Sequence, residues 1–145
     1  MKVLIDTNIA LDILLNRIDF YSDSVGVFVM AEKKLITGYI SASAITDIFY
    51  IAQRKLGKKA TKEAIKKVLN VFYPAAVTDN HIYQALDLEW DDFEDSVQYV
   101  VGEGLVVDYI VTRNTQDFVA DLRSDGSIPS VTPEQFIEII TDIEE

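Results

Sequence analysis

Four acidic positions in this chain have the type and spacing that chemistry would need: Asp6, Asp47, a cluster within 91–95, and Asp117. The acids of the cluster are Asp91, Asp92, Glu94 and Asp95. Carboxylates that converge without a basic partner repel one another unless a cation lies between them. Ligation by oxygen alone, without histidine or cysteine, favours Mg²⁺ or Mn²⁺ over Zn²⁺. Because such ions activate water and neutralise charge on a phosphodiester, the acids favour metal-dependent phosphoester hydrolysis.

The elements around these acids predict that they meet at one edge of a sheet. The apolar run Val3-Leu4-Ile5 predicts a strand buried on both faces, and Asp6 follows its carboxyl end. Further strands are predicted at 35–40, 75–78, 106–112 and 130–132, with helices at 7–16, 20–34, 43–56, 61–70, 79–88, 91–104 and from 133 onward. Gly102 and Gly104 are expected to end the helix at 91–104. This alternation predicts an α/β fold with a parallel sheet covered on both sides. Ligands bind such sheets at the carboxyl ends of the strands.

Each acid also has a structural explanation. Asp6 can cap the helix that follows it, and the acids of the 91–95 cluster can complement a helix dipole. Asp117 can begin a turn or a helix. Asp47 can be a solvent-exposed residue of its helix, although it lies among apolar residues, which favours partial burial. His81 is the only histidine, and we expect it to pack or cap rather than to catalyse. The chain has no phosphate-binding GxxxxGK[ST] or GxGxxG loop.

Length and composition predict one domain over residues 1–145 with a sizeable core, since 49% of the residues are hydrophobic. The absence of cysteine excludes disulfides and thiolate metal sites and suits a reducing compartment. The N-terminus lacks the pattern of a signal peptide. The longest uncharged apolar stretch lies around 25–31, far short of the roughly 18 residues that span a bilayer. We therefore expect a cytoplasmic protein that is not associated with a membrane.

The charge of the chain is unevenly distributed. With 24 acidic and 13 basic residues the net charge is −11, which argues against non-specific binding to nucleic acid. Seven of those 13 basic residues nevertheless lie within 54–67. This segment is either a solvated helix face or a patch that contacts phosphates. The candidate RNA-binding residues are Arg54, Lys55, Lys58, Lys59 and Lys62.

Four segments, in the right order and spanning nearly the whole chain, resemble the PIN domain family. They are VLIDTNIALDILL, SASAITDIFYIA, DFEDSVQYVVGEGLVVDYIVTRNTQDF and VTPEQFIEII. The combination of DTN near residue 6, an ED pair that opens a helix, and IVTRNTQDF is specific, although any one of these alone is weak evidence. The resemblance is closest to PIN domains of bacterial toxin–antitoxin systems. It implies a three-layer α/β/α fold with a mostly parallel central sheet, and a ribonuclease that depends on Mg²⁺ or Mn²⁺.

The resemblance also implies roles for individual residues. The implied metal ligands and catalytic residues are Asp6, Asp47, Asp95 and Asp117. Residues implied to flank the carboxylates and hold them by hydrogen bonds are Thr7, Asn8, Asp92, Thr112 and Asn114. One position departs from the family, because Asp47 stands where the family usually has the longer Glu. A shorter acid that reaches the metal only through water would leave a weaker or differently selective site.

The resemblance implies an RNA substrate, a small antitoxin partner and a homodimer. Two alternatives stay open from the sequence. The first is a PIN fold that binds RNA or protein but cleaves poorly, which Asp47 motivates. The second is a Mg²⁺-dependent phosphatase of the haloacid-dehalogenase type, which also begins with a strand that ends in Asp. That family expects a second Asp where this chain has Asn8.

Overall fold

The computed structural model describes residues 1–115 and 127–144. The elements within these ranges are β1 (Lys2–Ile5), α1 (Thr7–Leu14), α2 (Tyr21–Glu32), β2 (Thr37–Ser41), α3 (Ala42–Leu56), α4 (Lys58–Leu69), β3 (Tyr73–Ala75), α5 (Asp79–Leu86), α6 (Phe93–Leu105), β4 (Tyr109–Val111), β5 (Ser130–Val131) and α7 (Pro133–Glu144). None of the helices in these two ranges combines the length and the apolar character that crossing a bilayer requires.

The strands form a five-stranded sheet in the order β3-β2-β1-β4-β5, in which every described pair is parallel. The strand β1 is central, and its residue Leu4 pairs with Tyr39 of β2 and Ile110 of β4. The prediction of an α/β fold with a mostly parallel sheet is confirmed. The carboxyl ends of β1, β2 and β4 therefore lie at one edge, where α1, α3 and the loop after β4 begin.

The alternation of side chains along β1 separates two hydrophobic clusters. Val3 and Ile5 are fully buried in a cluster that includes residues of α1, α2, α3, α4 and α7. Leu4 points to the opposite face and packs in a second cluster, with residues of α5 and α6. Successive residues of a strand face opposite sides of the sheet. An apolar run that is buried on both faces thus produces the three layers that the sequence predicted.

Two predicted boundaries are wrong for identifiable reasons. The helix predicted to end at Gly102 and Gly104 continues to Leu105, and Val106 then adopts a left-handed conformation with φ of 56°. Gly102 is buried inside α6, where an added Cβ would lie 3.2 Å from Cγ2 of Val107. Close packing, not helix termination, explains that glycine. The third strand lies at 73–75 and includes Pro74, which an edge strand tolerates.

Side-chain caps fix the starts of α3 and α5. The Ser41 hydroxyl accepts a hydrogen bond from the Ala44 backbone N–H at 3.3 Å and caps α3 at the end of β2. Thr78 and His81 form a reciprocal capping box at the start of α5, with the Thr78 N–H donating to His81 Nδ1 at 2.9 Å. The expectation that His81 packs or caps is confirmed, and this contact gives His81 a structural role.

Candidate active site

A cleft of about 320 Å³ lies at the carboxyl edge of the sheet. The described residues that line it are Asp6, Thr7, Asn8, Asp47, Tyr50, Ile51, Asp92, Glu94, Asp95 and Asn114. Five of these side chains are carboxylic acids, and none of the described lining residues is basic. The fold thus brings together three of the four acids that the sequence singled out, Asp6, Asp47 and Asp95. The fourth, Asp117, lies outside the described residues.

Asp6 is the most constrained acid of the cleft. It follows β1 and caps α1, and only 4% of its surface is exposed. Its Oδ1 accepts hydrogen bonds from the Thr7 N–H at 2.8 Å and from Gln98 Nε2 at 3.2 Å. Its Oδ2 accepts a hydrogen bond from the Thr112 hydroxyl at 2.8 Å. Since a carboxylate offers about four acceptor positions, one remains for an external ligand.

Burial raises the pKa of Asp6, and the charge of Asp92 adds to this increase. The hydrogen bonds from Thr112, Gln98 and Thr7 act in the opposite direction, because they favour the ionised carboxylate. Asp6 is therefore a buried carboxyl group that three donors hold in one orientation. This arrangement satisfies the structural explanation of Asp6 as a helix cap and also presents one oxygen lone pair to the cleft.

Glu94, which the sequence named only as one acid of the 91–95 cluster, is a functional candidate to which the sequence assigned no individual role. Its Oε1 accepts a hydrogen bond from the Thr7 hydroxyl at 2.8 Å and from Gln98 Nε2 at 3.3 Å. Thr7 and Gln98 thereby bridge the carboxyl groups of Asp6 and Glu94. The sequence contained a signal for the contact between Glu94 and Gln98, since residues four apart in a helix lie on one face. The signal was overlooked because the family resemblance drew attention to the neighbouring Asp95.

The pKa of Glu94 reflects its burial and the carboxyl groups around it. The surroundings of Glu94 together raise its pKa from the ordinary value of 4.5 to about 7, and burial is the largest cause. A hydrogen bond with Asp47, the charge of Asp47 and the charge of Asp6 also contribute to this increase in pKa, whereas the Thr7 hydroxyl opposes it. Glu94 is thus about half protonated near neutral pH when no cation is bound. A cation between these groups would relieve their repulsion.

The remaining lining residues play distinguishable parts. Asp92 caps α6, because its Oδ1 accepts a hydrogen bond from the Asp95 N–H at 3.0 Å. The Asn114 N–H donates to Thr112 Oγ1 at 3.0 Å and so steadies the hydroxyl that holds Asp6. Asn8 lines the cleft beside Thr7. Thr7 and Thr112 bind carboxyl oxygens directly, in the manner that the resemblance implied.

The cleft matches a hard divalent cation in its chemistry. No three acidic or histidine side chains among the described residues lie close enough to form a closed metal site. Mg²⁺ does not require one, because it usually keeps several waters and binds proteins through one or two carboxylates. Asp6 retains an open acceptor position, and the charge of Asp47 raises the pKa of Glu94. One or two of the carboxylates of Asp6, Asp47, Glu94 and Asp95 would hold Mg²⁺ or Mn²⁺ here, with water as the remaining ligands.

A buried ion pair joins α1 to the loop after β4. Asp12 of α1 is fully buried, accepts a hydrogen bond from the Ser24 hydroxyl at 3.1 Å and lies 3.4 Å from Arg17 Nη1. Arg113 Nε lies 3.0 Å from Asp12 Oδ2, although its N–H is not directed at that oxygen, so the contact is an ion pair and not a hydrogen bond. The Arg113 guanidinium also packs 3.9 Å over the Phe20 ring. Arg113 adjoins Thr112, so the pair anchors the loop that holds Asp6.

The basic residues that the sequence proposed for RNA binding lie outside the cleft. Arg54 and Lys55 occupy the last turn of α3, and Lys58, Lys59 and Lys62 follow on α4, all with exposed side chains. One of them, Lys62, lines a second depression of about 450 Å³, which we call the α3–α4 groove. It is lined by Ile45, Thr46, Phe49, Tyr50, Lys62, Ile65 and Lys66. Tyr50 lines both the groove and the cleft.

Comparison with known proteins gives a consistent result. A sequence profile of the PIN domain matches residues 2–116. No curated protein matches the chain in sequence. Among solved structures, VapBC2 from Rickettsia felis, bound to a DNA fragment of its promoter, is similar with a TM-score of 0.67 and 15% identity, over 91% of this chain and 98% of that one.

Two further structures are similar. A toxin–antitoxin complex from Klebsiella pneumoniae has a TM-score of 0.64 and 21% identity, over 90% of this chain and 97% of that one. VapC20 from Mycobacterium tuberculosis, a toxin that cleaves the sarcin–ricin loop, has a TM-score of 0.60 and 15% identity, over 74% of this chain and 86% of that one. At these identities the three structures establish a shared fold.

Proposed function

Because this chain belongs to the PIN domain family, we propose that it is a divalent-metal-dependent endoribonuclease and the toxin of a toxin–antitoxin pair. One observation carries the proposal: Thr7 and Gln98 bridge the carboxyl groups of Asp6 and Glu94 in a cleft whose described lining has no basic residue. The alternative of a phosphatase of the haloacid-dehalogenase type is not retained, because the chain belongs to the PIN domain family.

The electrostatics of the cleft support a requirement for metal. A phosphodiester is anionic, so a lining of carboxylates without basic side chains repels it in the absence of a cation. When bound, Mg²⁺ or Mn²⁺ supplies charge neutralisation and an activated water. Asp6, Asp47 and Asp95 are the proposed protein ligands, with Glu94 added from the structure and Asp117 retained from the family resemblance.

The residues around the acids prepare the site before substrate arrives. The donors to Asp6 and the shared contacts of Thr7 fix the orientation of two carboxyl groups. Catalytic groups that are already oriented avoid the cost of ordering them during the reaction. The Asp12–Arg113 ion pair supports this order by anchoring the residue next to Thr112.

The proposed partners follow from the family and the similar structures. Two of the three similar structures contain a toxin together with its antitoxin or are described as such a complex, which supports a small antitoxin as the partner of this chain. We further propose a homodimer, an RNA substrate contacted by the exposed basic residues of 54–62, and a cytoplasmic location. The absence of cysteine is compatible with that location.

The test of the proposed function is cleavage of a single-stranded RNA by the wild-type protein and by Asp6→Asn. We expect the wild type to cleave with Mg²⁺ or Mn²⁺ and to stop in chelator, and we expect Asp6→Asn to be inactive in both. Asp87→Asn is the matched control, because Asp87 is an exposed acid at the end of α5. Cleavage that persists in chelator, or in folded Asp6→Asn, would contradict the proposal. Metal binding without cleavage would favour the alternative of a PIN fold that binds RNA but cuts poorly.

A further inference from the structure

The α3–α4 groove and the acidic cleft share one lining residue, Tyr50. Tyr50 lines both depressions and is 64% exposed. Ile51, which is also partly exposed, lines the cleft beside it. A ligand that lies across Tyr50 would therefore contact the groove and the carboxyl groups together. The groove volume of about 450 Å³ falls within the range of roughly 300–1,000 Å³ that is typical of small-ligand sites.

The lining of the groove has two parts with different chemistry. Its apolar surface comes from Ile45, Phe49 and Ile65, and its charged residues are Lys62 and Lys66 of α4. The Phe49 and Tyr50 rings meet nearly at right angles, with an interplanar angle of 78° and centroids 6.3 Å apart. Phe49 thus does not form a parallel stack with Tyr50. An exposed aromatic ring beside two lysines suits a ligand that combines a flat apolar ring with negative charge.

We propose that the α3–α4 groove binds an unpaired nucleotide of the RNA substrate, with its base stacked on Tyr50 and its phosphates beside Lys62 and Lys66. This inference rests on the proposed function, because the groove gains its role from the adjoining cleft. Bases in a duplex are stacked within the helix, whereas bases of single strands can be splayed out onto aromatic side chains. The groove therefore selects single-stranded RNA.

A protein segment is the competing occupant of an apolar groove with a lysine rim. Such a segment could fill the apolar part of the groove, but an apolar segment would leave Lys62 and Lys66 without an anionic partner. A strand of RNA carries a phosphate at each nucleotide, so it can place one phosphate beside these lysines and present the next to the cleft, where the divalent ion of the proposed function neutralises the carboxyl groups. The two lysines of the groove, together with the Tyr50 side chain that it shares with the cleft, thus favour the nucleic acid.

The test measures binding of a fluorescently labelled, non-cleavable analogue of an adenosine hexaribonucleotide by anisotropy in the presence of Mg²⁺, so that the carboxyl groups are neutralised and cleavage does not contribute. Stacking of one base on an aromatic ring is worth enough that its removal weakens binding by about tenfold. We expect Tyr50→Ala to show this loss and Tyr50→Phe to bind within about twofold of wild type, since the ring is kept. Tyr83→Ala is the matched control, because Tyr83 is 66% exposed and lies on α5. It should bind as the wild type does.

Two further measurements make the assignment specific. A hexamer of the same backbone without bases should bind the wild type more weakly than the hexamer with bases does. It should bind Tyr50→Ala and the wild type with equal affinity, because no base remains to stack on the ring. Lys62→Gln and Lys66→Gln should each reduce the slope of log affinity against log salt by about 0.7, the value for one phosphate contact in a single strand. The proposal would be overturned, and a protein occupant favoured, if Tyr50→Ala bound the hexamer as tightly as the wild type does. The same conclusion would follow if Tyr83→Ala lost as much affinity as Tyr50→Ala.

The same variants separate this inference from the proposed function. If Asp6→Asn still cleaves RNA while Tyr50→Ala loses binding, the proposed active site fails and the nucleotide site stands. If Asp6→Asn is inactive and Tyr50→Ala binds normally, the nucleotide site fails and the proposed active site stands. Because Tyr50 is largely exposed, neither of its substitutions should affect folding.

Discussion

Replacement of Glu94 by Gln tests the crowding of the carboxyl groups without altering their shape. The amide oxygen of Gln can still accept the hydrogen bond that the Thr7 hydroxyl donates to Glu94. What changes is the charge. The pKa of Glu94 is about 7 in the folded protein, against its ordinary value of 4.5. Since the folded state binds this proton more tightly than the unfolded state does, protonation of Glu94 stabilises the fold.

The sign and the pH range follow from these two pKa values. The stabilisation is fully present below about pH 4.5 and is lost as the pH rises through about 7. Glu94→Gln does not titrate, so it escapes this loss. The increase of 2.5 pKa units, from 4.5 to about 7, corresponds to at most about 3.4 kcal/mol. Because Glu94 is only partly buried, solvent screening reduces this to about 1–2 kcal/mol.

The assay is thermal unfolding of wild type and Glu94→Gln in chelator at pH 5 and pH 8. We expect nearly equal Tm values at pH 5, and a Tm for the variant that is about 3–6 °C higher at pH 8. Glu138→Gln on α7 is the control, because it removes an exposed carboxylate elsewhere and should show no such pH-dependent difference. If the difference in Tm between Glu94→Gln and wild type is the same at both pH values, the ionised form of Glu94 is not destabilised by its surroundings. The account of a cleft crowded with carboxyl groups would then be wrong.

Three other substitutions test separate parts of the account. Asp47→Asn removes a charge that raises the pKa of Glu94, so that pKa should fall toward 4.5 in an NMR titration, and an unchanged value would place Asp47 away from it. Asp12→Ala leaves its arginine partners unpaired and should lower the free energy of unfolding in urea by about 3 kcal/mol, whereas a loss below about 1 kcal/mol would show that the pair is dispensable. Gly38→Ala places a Cβ 2.5 Å from Cδ1 of Phe72 and should cost about 1–3 kcal/mol in the same assay, unless Phe72 can move aside, in which case stability would be unchanged.

The sequence predicted the layers of the fold because short apolar runs and helical periodicity are local properties. Val3, Leu4 and Ile5 are consecutive and all apolar, which indicates that β1 is covered on both faces, and all three are fully buried. Glycine was less reliable as a sign of helix ends. Gly102 looks like a terminator in sequence, yet it lies inside α6 because Val107 and Ile128 pack where a side chain would project.

The candidate site could be predicted only in part. Asp6, Asp47 and Asp95 were found because strand ends and helix starts share one edge of a parallel sheet. The contact between Asp12 and Arg113 joins positions far apart in the chain, and no spacing rule indicates which buried acid meets which arginine. The raised pKa of Glu94 likewise depends on burial and on two other acids, which only the folded arrangement brings together.

The most direct test of the central claim is a crystal structure of the protein soaked with Mn²⁺ at a concentration that supports RNA cleavage. We expect an anomalous difference peak in the cleft, at a ligand distance of about 2.0–2.2 Å from an Asp6 carboxylate oxygen, with Asp47, Glu94 or Asp95 as a further ligand. The peak should be absent from crystals of Asp6→Asn. A cleft without Mn²⁺ in the wild-type crystal, or a peak that persists unchanged in Asp6→Asn, would contradict a metal-dependent active site at this edge of the sheet.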